Sequence, residues 1–231
     1  MKVGYTRSEI IEKCKKAIGD VANFYKQDFI NYRGKTEDTD EYYTEVIAEF
    51  VCENIDDFMK IPMITRIKSY RVETHSGEFA ESSNRLEEIT AMKMYLQSKA
   101  DEFDFIGKII DYQTPLKNEK GDEAGKIDLL STKNNVLYIL ELKKEDSKET
   151  MLRCVLEGFT YMKTVDVKKL LSDFKLPIHM KVKSSPFVFK NGEQHKEMRE
   201  QRRWLCRLMD LLDSTPYYIS VEDEKYIVTG D

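Results

Sequence analysis

Two apolar runs separated by a short polar turn lie in the middle of the sequence and predict a β-hairpin over residues 126–143. The turn is Asn134-Asn135, and asparagine tolerates the left-handed backbone that a tight turn requires. Charged residues are seldom buried without a partner, yet the predicted strands carry Asp128 and Glu141. Because these acids lie at equal distances from the turn, strand pairing is predicted to bring them opposite each other.

The end of the second strand adds a positive charge to this pair. Side chains alternate across a strand, so Glu141 and Lys143 are predicted to share one face and Leu142 to lie on the other. Two facing carboxylates near a buried strand end repel each other and lose solvation, and a cation relieves both costs. Carboxylate oxygens suit a hard ion such as Mg²⁺, and a lysine suits a phosphate oxygen or an attacking water. The pattern favours a site that cleaves phosphodiester bonds.

Composition agrees with a globular protein. The chain has 231 residues, of which 41% are hydrophobic and 34% are charged, enough for one well-buried domain or one domain with an appendage. No apolar run approaches the roughly 20 residues that span a bilayer, and the first residues lack the apolar core of a signal peptide. We therefore expect a cytoplasmic protein with no membrane partner. The four cysteines are widely spaced, which argues against a zinc site or a disulfide framework.

The net charge is −5, but its distribution is uneven. Residues 163–207 contain 12 Lys and Arg against 5 Asp and Glu. This run is compatible with a solvated helix face or with a surface that binds nucleic acid.

Apolar residues at helical spacing predict a long amphipathic helix over residues 6–32 and a second helix that ends before Pro62. Two helices ahead of any strand suggest a helical extension or subdomain over residues 1–75, or a dimerisation arm for a homodimer. Residues 63–81 are compatible with an edge strand or a basic, substrate-facing loop. The remaining predicted elements are a helix (84–99), three strands (103–113, 124–131, 136–143), a helix (148–163), a short helix (166–174), a strand (178–189), a basic helix (193–213) and a C-terminal hairpin.

Two glutamates open the helix at 84–99. If Leu86, Ile89 and Met92 face inward, Glu88 lies nearer the buried side than Glu87. The alternative is that both glutamates only complement the positive end of the helix dipole.

The order of helix, three strands, helix and strand, with Asp128 before Glu141-Leu142-Lys143, resembles the PD-(D/E)XK nuclease superfamily over roughly residues 84–190. The segment from Glu157 to Tyr161 resembles the Q-x-x-x-Y motif of RecB-like members, with Glu in place of Gln. The resemblance implies an α/β, restriction-endonuclease-like αβββαβ core. Such a core has a mixed central sheet flanked by helices and would occupy residues 76–231.

The resemblance also implies a metal-dependent nuclease that acts on DNA, or alternatively RNA. Asp128 and Glu141 would ligate Mg²⁺ or Mn²⁺ together with the Leu142 carbonyl, and Glu88 would bind directly or through water. Lys143 would orient the attacking water as the third catalytic residue.

Further residues would support this site. Glu157 and Tyr161 would position groups around it, and Lys144 and Arg153 would contact the phosphate backbone. Two alternatives remain open at this point. One is a nuclease-fold module that binds nucleic acid or protein without turnover, and the other is a strand end in which Lys143 only forms salt bridges.

Overall fold

The computed structural model describes residues 4–72, 86–116, 118 and 125–230. These residues form an α/β structure in which helices pack on a mixed six-stranded sheet. The helices are α1 (Arg7–Ala17), α2 (Tyr43–Glu53), α3 (Ile55–Phe58), α4 (Leu86–Ala100), α5 (Met151–Thr164), α6 (Val167–Asp173), α7 (Glu193–Arg199) and α8 (Arg203–Leu211). The strands are β1 (Lys108–Pro115), β2 (Lys126–Lys133), β3 (Val136–Leu142), β4 (Lys181–Phe189), β5 (Tyr217–Glu222) and β6 (Lys225–Thr229).

The strands lie in the sheet in their sequence order, β1 to β6. β1, β2 and β3 form an antiparallel meander, β3, β4 and β5 are parallel, and β5 and β6 form an antiparallel hairpin. The predicted order of helix, three strands, helix and strand is observed as α4, β1, β2, β3, α5 and β4, with α6 inserted before β4.

The central hairpin has the predicted two-residue turn. Asn134 and Asn135 adopt φ angles of 48° and 61°, the left-handed conformation that asparagine tolerates best after glycine. The turn fixes the register, in which Leu129 pairs with Leu140. When this register is continued by one residue pair, Asp128 lies opposite Glu141, as the sequence predicted.

Alternating residues of the hairpin pack into two hydrophobic clusters, one on each face of the sheet. Leu137 and Ile139 belong to a cluster that includes α5 and α8, whereas Leu140 and Leu142 belong to a cluster that includes α4. Glu141 follows Ile139 by two residues and therefore points to the α5 face. The hairpin thus directs its acidic end beneath α5.

The N-terminal helices are part of the first cluster. Ile10, Phe24 and Ile47 are buried in the same core as Ile139 and Leu152 of the sheet and α5. The apolar faces of α1 and α2 are therefore covered by the chain itself, and the predicted homodimer would have to use their outer surfaces. The predicted boundary between residues 75 and 76 lies outside the described residues.

The long helix predicted over residues 6–32 is broken in the structure. α1 starts with a capping box between Thr6 and Glu9 and ends at Ala17, and short 3₁₀ turns follow over Ile18–Lys26 and Asp28–Asn31. Asp20 leaves the helical region, with φ −131° and ψ 71°, directly after Gly19. Glycine and aspartate are both poor helix formers, which explains a break in a stretch whose apolar periodicity is helical.

Other boundaries also differ from the sequence prediction. β1 begins at Lys108 rather than residue 103, because Phe103 and Gly107 close a tight turn with two reciprocal backbone hydrogen bonds. The helix predicted over 193–213 is two helices separated by a turn at Gln201. Residues 63–72 form no strand, and the rest of the uncertain segment lies outside the described residues. No helix in the described ranges is both long and apolar enough to cross a membrane.

The hairpin turn gives a first testable prediction. Asn135→Val places a β-branched residue at positive φ and is expected to lower the free energy of unfolding by about 1–2 kcal/mol. Asn135→Gly, the matched control, tolerates that φ and is expected to leave the stability nearly unchanged. Urea denaturation of the three proteins measures the difference, and equal stabilities would contradict the turn geometry.

Candidate active site

The acidic end of the hairpin opens into a cleft of about 640 Å³. The walls come from the start of α4, β2, β3, the segment after β3, α5 and the N-terminal region. The lining residues are Asn31, Glu87, Lys126, Asp128, Glu141, Lys143, Lys144, Asp146, Ser147, Lys148, Glu149, Arg153, Glu157 and Tyr161. Seven of the eight residues to which the sequence assigned a side-chain role therefore lie in one cleft.

Lys143 occupies the centre of this cleft. Its Nζ lies 2.8 Å from Glu141 Oε1, 2.9 Å from Glu149 Oε2 and 2.9 Å from Glu157 Oε2. Its side chain is only 6% exposed. Burial by itself lowers the pKa of Lys143, but the charges of Glu141 and Glu157 outweigh it and hold the pKa well above its usual value. The lysine is therefore a fixed cation among three carboxyl groups.

Glu141 and Glu157 share this lysine unequally. Burial, followed by the charge of Glu157, raises the pKa of Glu141 well above its usual value. Burial also acts against ionisation of Glu157, but Lys143 outweighs it and lowers the pKa of that carboxyl. Glu141 Oε2 is buried and accepts no hydrogen bond from the described residues. One carboxyl oxygen deep in the cleft is thus without a donor.

Asp128 is held by two hydrogen bonds. The backbone N–H of Leu142 donates to Oδ2 and the Gln113 side-chain amide donates to Oδ1, each at 2.9 Å. Burial nevertheless raises the pKa of Asp128 to about 7, and the opposing charge of Lys143 only partly offsets that effect. This carboxyl group therefore changes its charge near neutral pH.

Gln113 reaches Asp128 from an unusual backbone conformation. It lies in β1 between residues paired with Leu129 and Ile127, so it is directly opposite Asp128. Its φ angle is 50°, in the left-handed region that glutamine rarely adopts. Strain of this kind is often found where a side chain must be aimed at a functional group.

α5 supplies the second wall and is packed closely against β3. A Cβ added at Gly158 would lie 3.3 Å from Glu141 Cβ, so the absence of a side chain allows this approach. Within α5, the Tyr161 hydroxyl donates to Glu157 Oε1 at 2.9 Å. Glu157 thus connects Tyr161 to Lys143, and the sequence motif of the resemblance corresponds to one hydrogen-bonded chain of groups.

The structure places Glu87, rather than Glu88, in the cleft. Glu87 Oε1 accepts a hydrogen bond from the Lys144 backbone N–H at 3.1 Å, whereas Glu88 lies 3.7 Å from Lys126 Nζ outside the lining. The helical wheel failed because Leu86, taken as buried, is 53% exposed.

The buried face of α4 explains the difference. Its buried residues include Ala91, Met94 and Ser98. They cluster at about 80–140° from Leu86, and Glu87 lies in that sector at about 100°. Glu87 is therefore the α4 glutamate that lines the cleft, and the role of Glu88 as a metal ligand stays a prediction.

The two predicted phosphate-binding residues already have partners. Arg153 Nε lies 2.9 Å from Glu149 Oε1, and its Nη1 donates to the Tyr25 carbonyl at 3.2 Å. Lys144 Nζ lies 3.1 Å from Asp146 and is 41% exposed. Lys144 is thus the more accessible cation. Leu142 contributes its backbone N–H to Asp128, and the predicted role of its carbonyl remains a prediction.

Glu149, Asn31 and Gln113, which line the cleft or bind a group in it, were given no role from the sequence. Glu149 precedes Thr150, the N-cap of α5, and the sequence placed it within the helix predicted over 148–163. Asn31 comes from the N-terminal region and its Oδ1 accepts the Thr150 backbone N–H at 3.1 Å. The only sequence signal for Glu149 is its closeness to Lys143 along the chain, and Gln113 and Asn31 give none.

The cleft offers carboxylate oxygens, the donors that a hard divalent cation prefers. Within the described residues no group of three or more His, Cys, Asp or Glu side chains is arranged to hold a metal ion. Magnesium requires only one or two carboxylates and keeps several waters. Asp128 and the unpartnered oxygen of Glu141 supply that minimum, and Gln113 is a neutral amide that a cation can replace.

Comparisons with protein-family models, with curated proteins and with solved structures found no match. The residues of the cleft are therefore the basis on which a function is proposed.

The pKa of Asp128 predicts a pH dependence of stability. An unfolded-chain aspartate has a pKa of about 3.9, and the folded value is about 7. Between these values the folded chain keeps a proton that the unfolded chain has released, so the free energy of unfolding falls as pH rises. Asp128→Asn removes this titration and should reduce the loss between about pH 4 and pH 7 by roughly 3 kcal/mol.

Urea denaturation at a series of pH values without added metal measures this difference. Glu145→Gln, an exposed acid outside the cleft, is the matched control and should follow the wild-type curve. Parallel curves for Asp128→Asn and the wild-type chain would contradict the raised pKa.

Proposed function

We propose that this chain is a Mg²⁺- or Mn²⁺-dependent nuclease that hydrolyses phosphodiester bonds in DNA, or alternatively in RNA. The observation that carries the proposal is the convergence of Asp128, Glu141 and Lys143 in one cleft, where Glu141 has a buried oxygen without a hydrogen-bond donor. A buried carboxylate oxygen without a hydrogen-bond donor destabilises a fold, so the presence of Glu141 Oε2 in an open cleft favours a functional role.

Each group has a definite task in this proposal. Asp128 and Glu141 would hold the cation, with Glu87 nearby as the acid contributed by α4. When bound, the cation neutralises charge on the scissile phosphate and lowers the pKa of water. Lys143 donates hydrogen bonds to the attacking water or to a phosphate oxygen and shares the charge that develops there. Glu157, bonded to Tyr161, keeps Lys143 charged and directed into the cleft.

We also infer that α4, β1, β2, β3, α5 and β4 form a restriction-endonuclease-like core. The order of these elements supports this, as does the position of Asp128, Glu141 and Lys143 at one end of the hairpin. The N-terminal region then completes the cleft, since Asn31 is one of its lining residues.

A catalytically silent binding module is the second candidate. The observation that favours it is the closed ion-pair cluster, in which three carboxylates already surround the ammonium of Lys143. These three ion pairs already offset the cost of burying the Lys143 charge, so the cluster is explained without a bound substrate or cation. Metal binding and turnover separate the two candidates.

Metal binding is predicted from the carboxylate pair. Mn²⁺ at tenfold excess over its dissociation constant stabilises the folded state by about 1.4 kcal/mol, which raises the unfolding temperature by about 3–6 °C. Asp128→Asn should abolish this shift, whereas Glu145→Gln should retain it. Thermal denaturation with and without Mn²⁺ measures this shift. An unchanged unfolding temperature in the wild-type chain would contradict the proposed metal site.

Cleavage is tested with supercoiled plasmid and circular single-stranded DNA in the presence of Mn²⁺. Asp128→Asn and Lys143→Gln are expected to reduce nicking at least about 100-fold. The first removes a carboxylate that would hold the cation, and the second removes the positive charge that would stabilise the transition state. Glu145→Gln should retain the wild-type rate, and circular dichroism checks the fold of each variant. If both cleft variants nick DNA as fast as the wild-type chain, the assignment is refuted.

A further inference from the structure

Two further cavities adjoin the candidate active site, one on each side. The first, of about 470 Å³, shares Tyr161 with the cleft, and the second, of about 600 Å³, shares Asn31 with it. Each is within the roughly 300–1,000 Å³ range of cavities that hold a small ligand. We call these three cavities, which are connected through Tyr161 and Asn31, the row; the middle one shares a residue with each of the others and contains Asp128, Glu141 and Lys143.

The N-terminal region forms part of all three cavities. Tyr25 lines the first, Asn31 the second and third, and Tyr32 the third. Hydrogen bonds fix this region to the first turn of α5, since Thr150 Oγ1 donates to the Ile30 carbonyl at 2.8 Å and its N–H donates to Asn31. The row is therefore built from one continuous piece of structure.

Aromatic rings are concentrated at both ends of the row. In the third cavity the rings of Tyr5 and Tyr32 are stacked, with centroids 5.2 Å apart and planes inclined by 8°. Both residues are only half-buried. At the other end, the Tyr25 and Tyr161 rings meet edge to face at 5.9 Å, and both are buried. The half-buried pair of Tyr5 and Tyr32 is therefore the surface on which a nucleobase can stack without sequence preference.

The charges at the two ends favour an anion. Lys26 lies at the first cavity, and Arg33 and Lys35 lie at the third, where Glu37 is the one acid among the described lining residues. The two outer cavities thus have an excess of positive charge, although the whole chain has a net charge of −5. Arg33 and Lys35 pair with Glu193 and Asp40, but exposed ion pairs are weak and a phosphate can compete with them.

From this arrangement we propose that the row of cavities binds a single-stranded segment of nucleic acid, with a base on the Tyr5 and Tyr32 pair in the third cavity and the scissile phosphate in the middle one. Lys26 in the first cavity and Lys35 in the third would contact the phosphates on either side. The inference rests on the proposed function and names its substrate class. In a duplex the base faces are already stacked on each other, so the half-buried tyrosine pair would find no partner. A single strand presents unstacked bases together with its phosphates, which suits a site that combines accessible rings with cations.

Binding is tested separately from cleavage, in EDTA, with a fluorescent single-stranded oligonucleotide of about 12 nucleotides and the corresponding duplex. The wild-type chain is expected to bind the single strand more tightly than the duplex. Tyr32→Ala should weaken single-strand binding at least about fivefold, and Tyr32→Phe, which keeps the ring, should restore it.

Two exposed lysines allow the phosphate contacts to be tested without changing the packing of the protein. Lys26→Gln and Lys35→Gln, at opposite ends of the row, should each reduce the slope of log affinity against log salt concentration by about 0.7. Lys225→Gln, in the hairpin of β5 and β6 and outside these cavities, is the matched control and should leave the slope unchanged.

Equal or tighter binding of the duplex would overturn the inference, as would binding that neither lysine variant changes. Neither result depends on cleavage, so the nuclease assignment would stand or fall by the plasmid assay alone. A chain that binds the single strand through Lys26, Tyr32 and Lys35 but cleaves no DNA would support the binding site and refute the nuclease.

Discussion

The buried ammonium group of Lys143 is the interaction on which the candidate site depends. Removing a charged lysine from water costs several kcal/mol, and the surrounding carboxylates must offset that cost. Glu141, Glu149 and Glu157 provide three contacts of 2.8–2.9 Å from the strand, the following loop and α5. One lysine therefore holds three separate parts of the chain at a common point.

The same cluster has more acid than one lysine can neutralise. Lys143 keeps Glu157 ionised, whereas Glu141 and Asp128 have raised pKa values because burial penalises their charges. These two carboxyl groups keep their protons to a higher pH than free ones do, and in the proposed function a divalent cation would displace those protons. The close packing of α5 on β3 at Gly158 is what brings Glu157 and Glu141 to the same lysine.

The hairpin was predictable because its geometry is local. A two-residue asparagine turn determines the register, and the register determines which side chains face each other, so the positions of Asp128 and Glu141 followed from counting residues. The helix wheel was less dependable, since Leu86 is exposed and the buried face of α4 is set by contacts with the sheet. Gln113 and Asn31 could not be found, because a strained φ angle and a long-range hydrogen bond leave no periodic signal in the sequence.

The break at Asp20 determines where the N-terminal region can reach. An uninterrupted helix over residues 6–32 would be a rod of about 40 Å and would carry its last turn in a straight line away from its first. The bend instead returns the chain over a short distance, so that Tyr5 near its start and Tyr32 near its end stack on each other. This departure from regular helix geometry allows the N-terminal region to line the cleft and the cavities beside it.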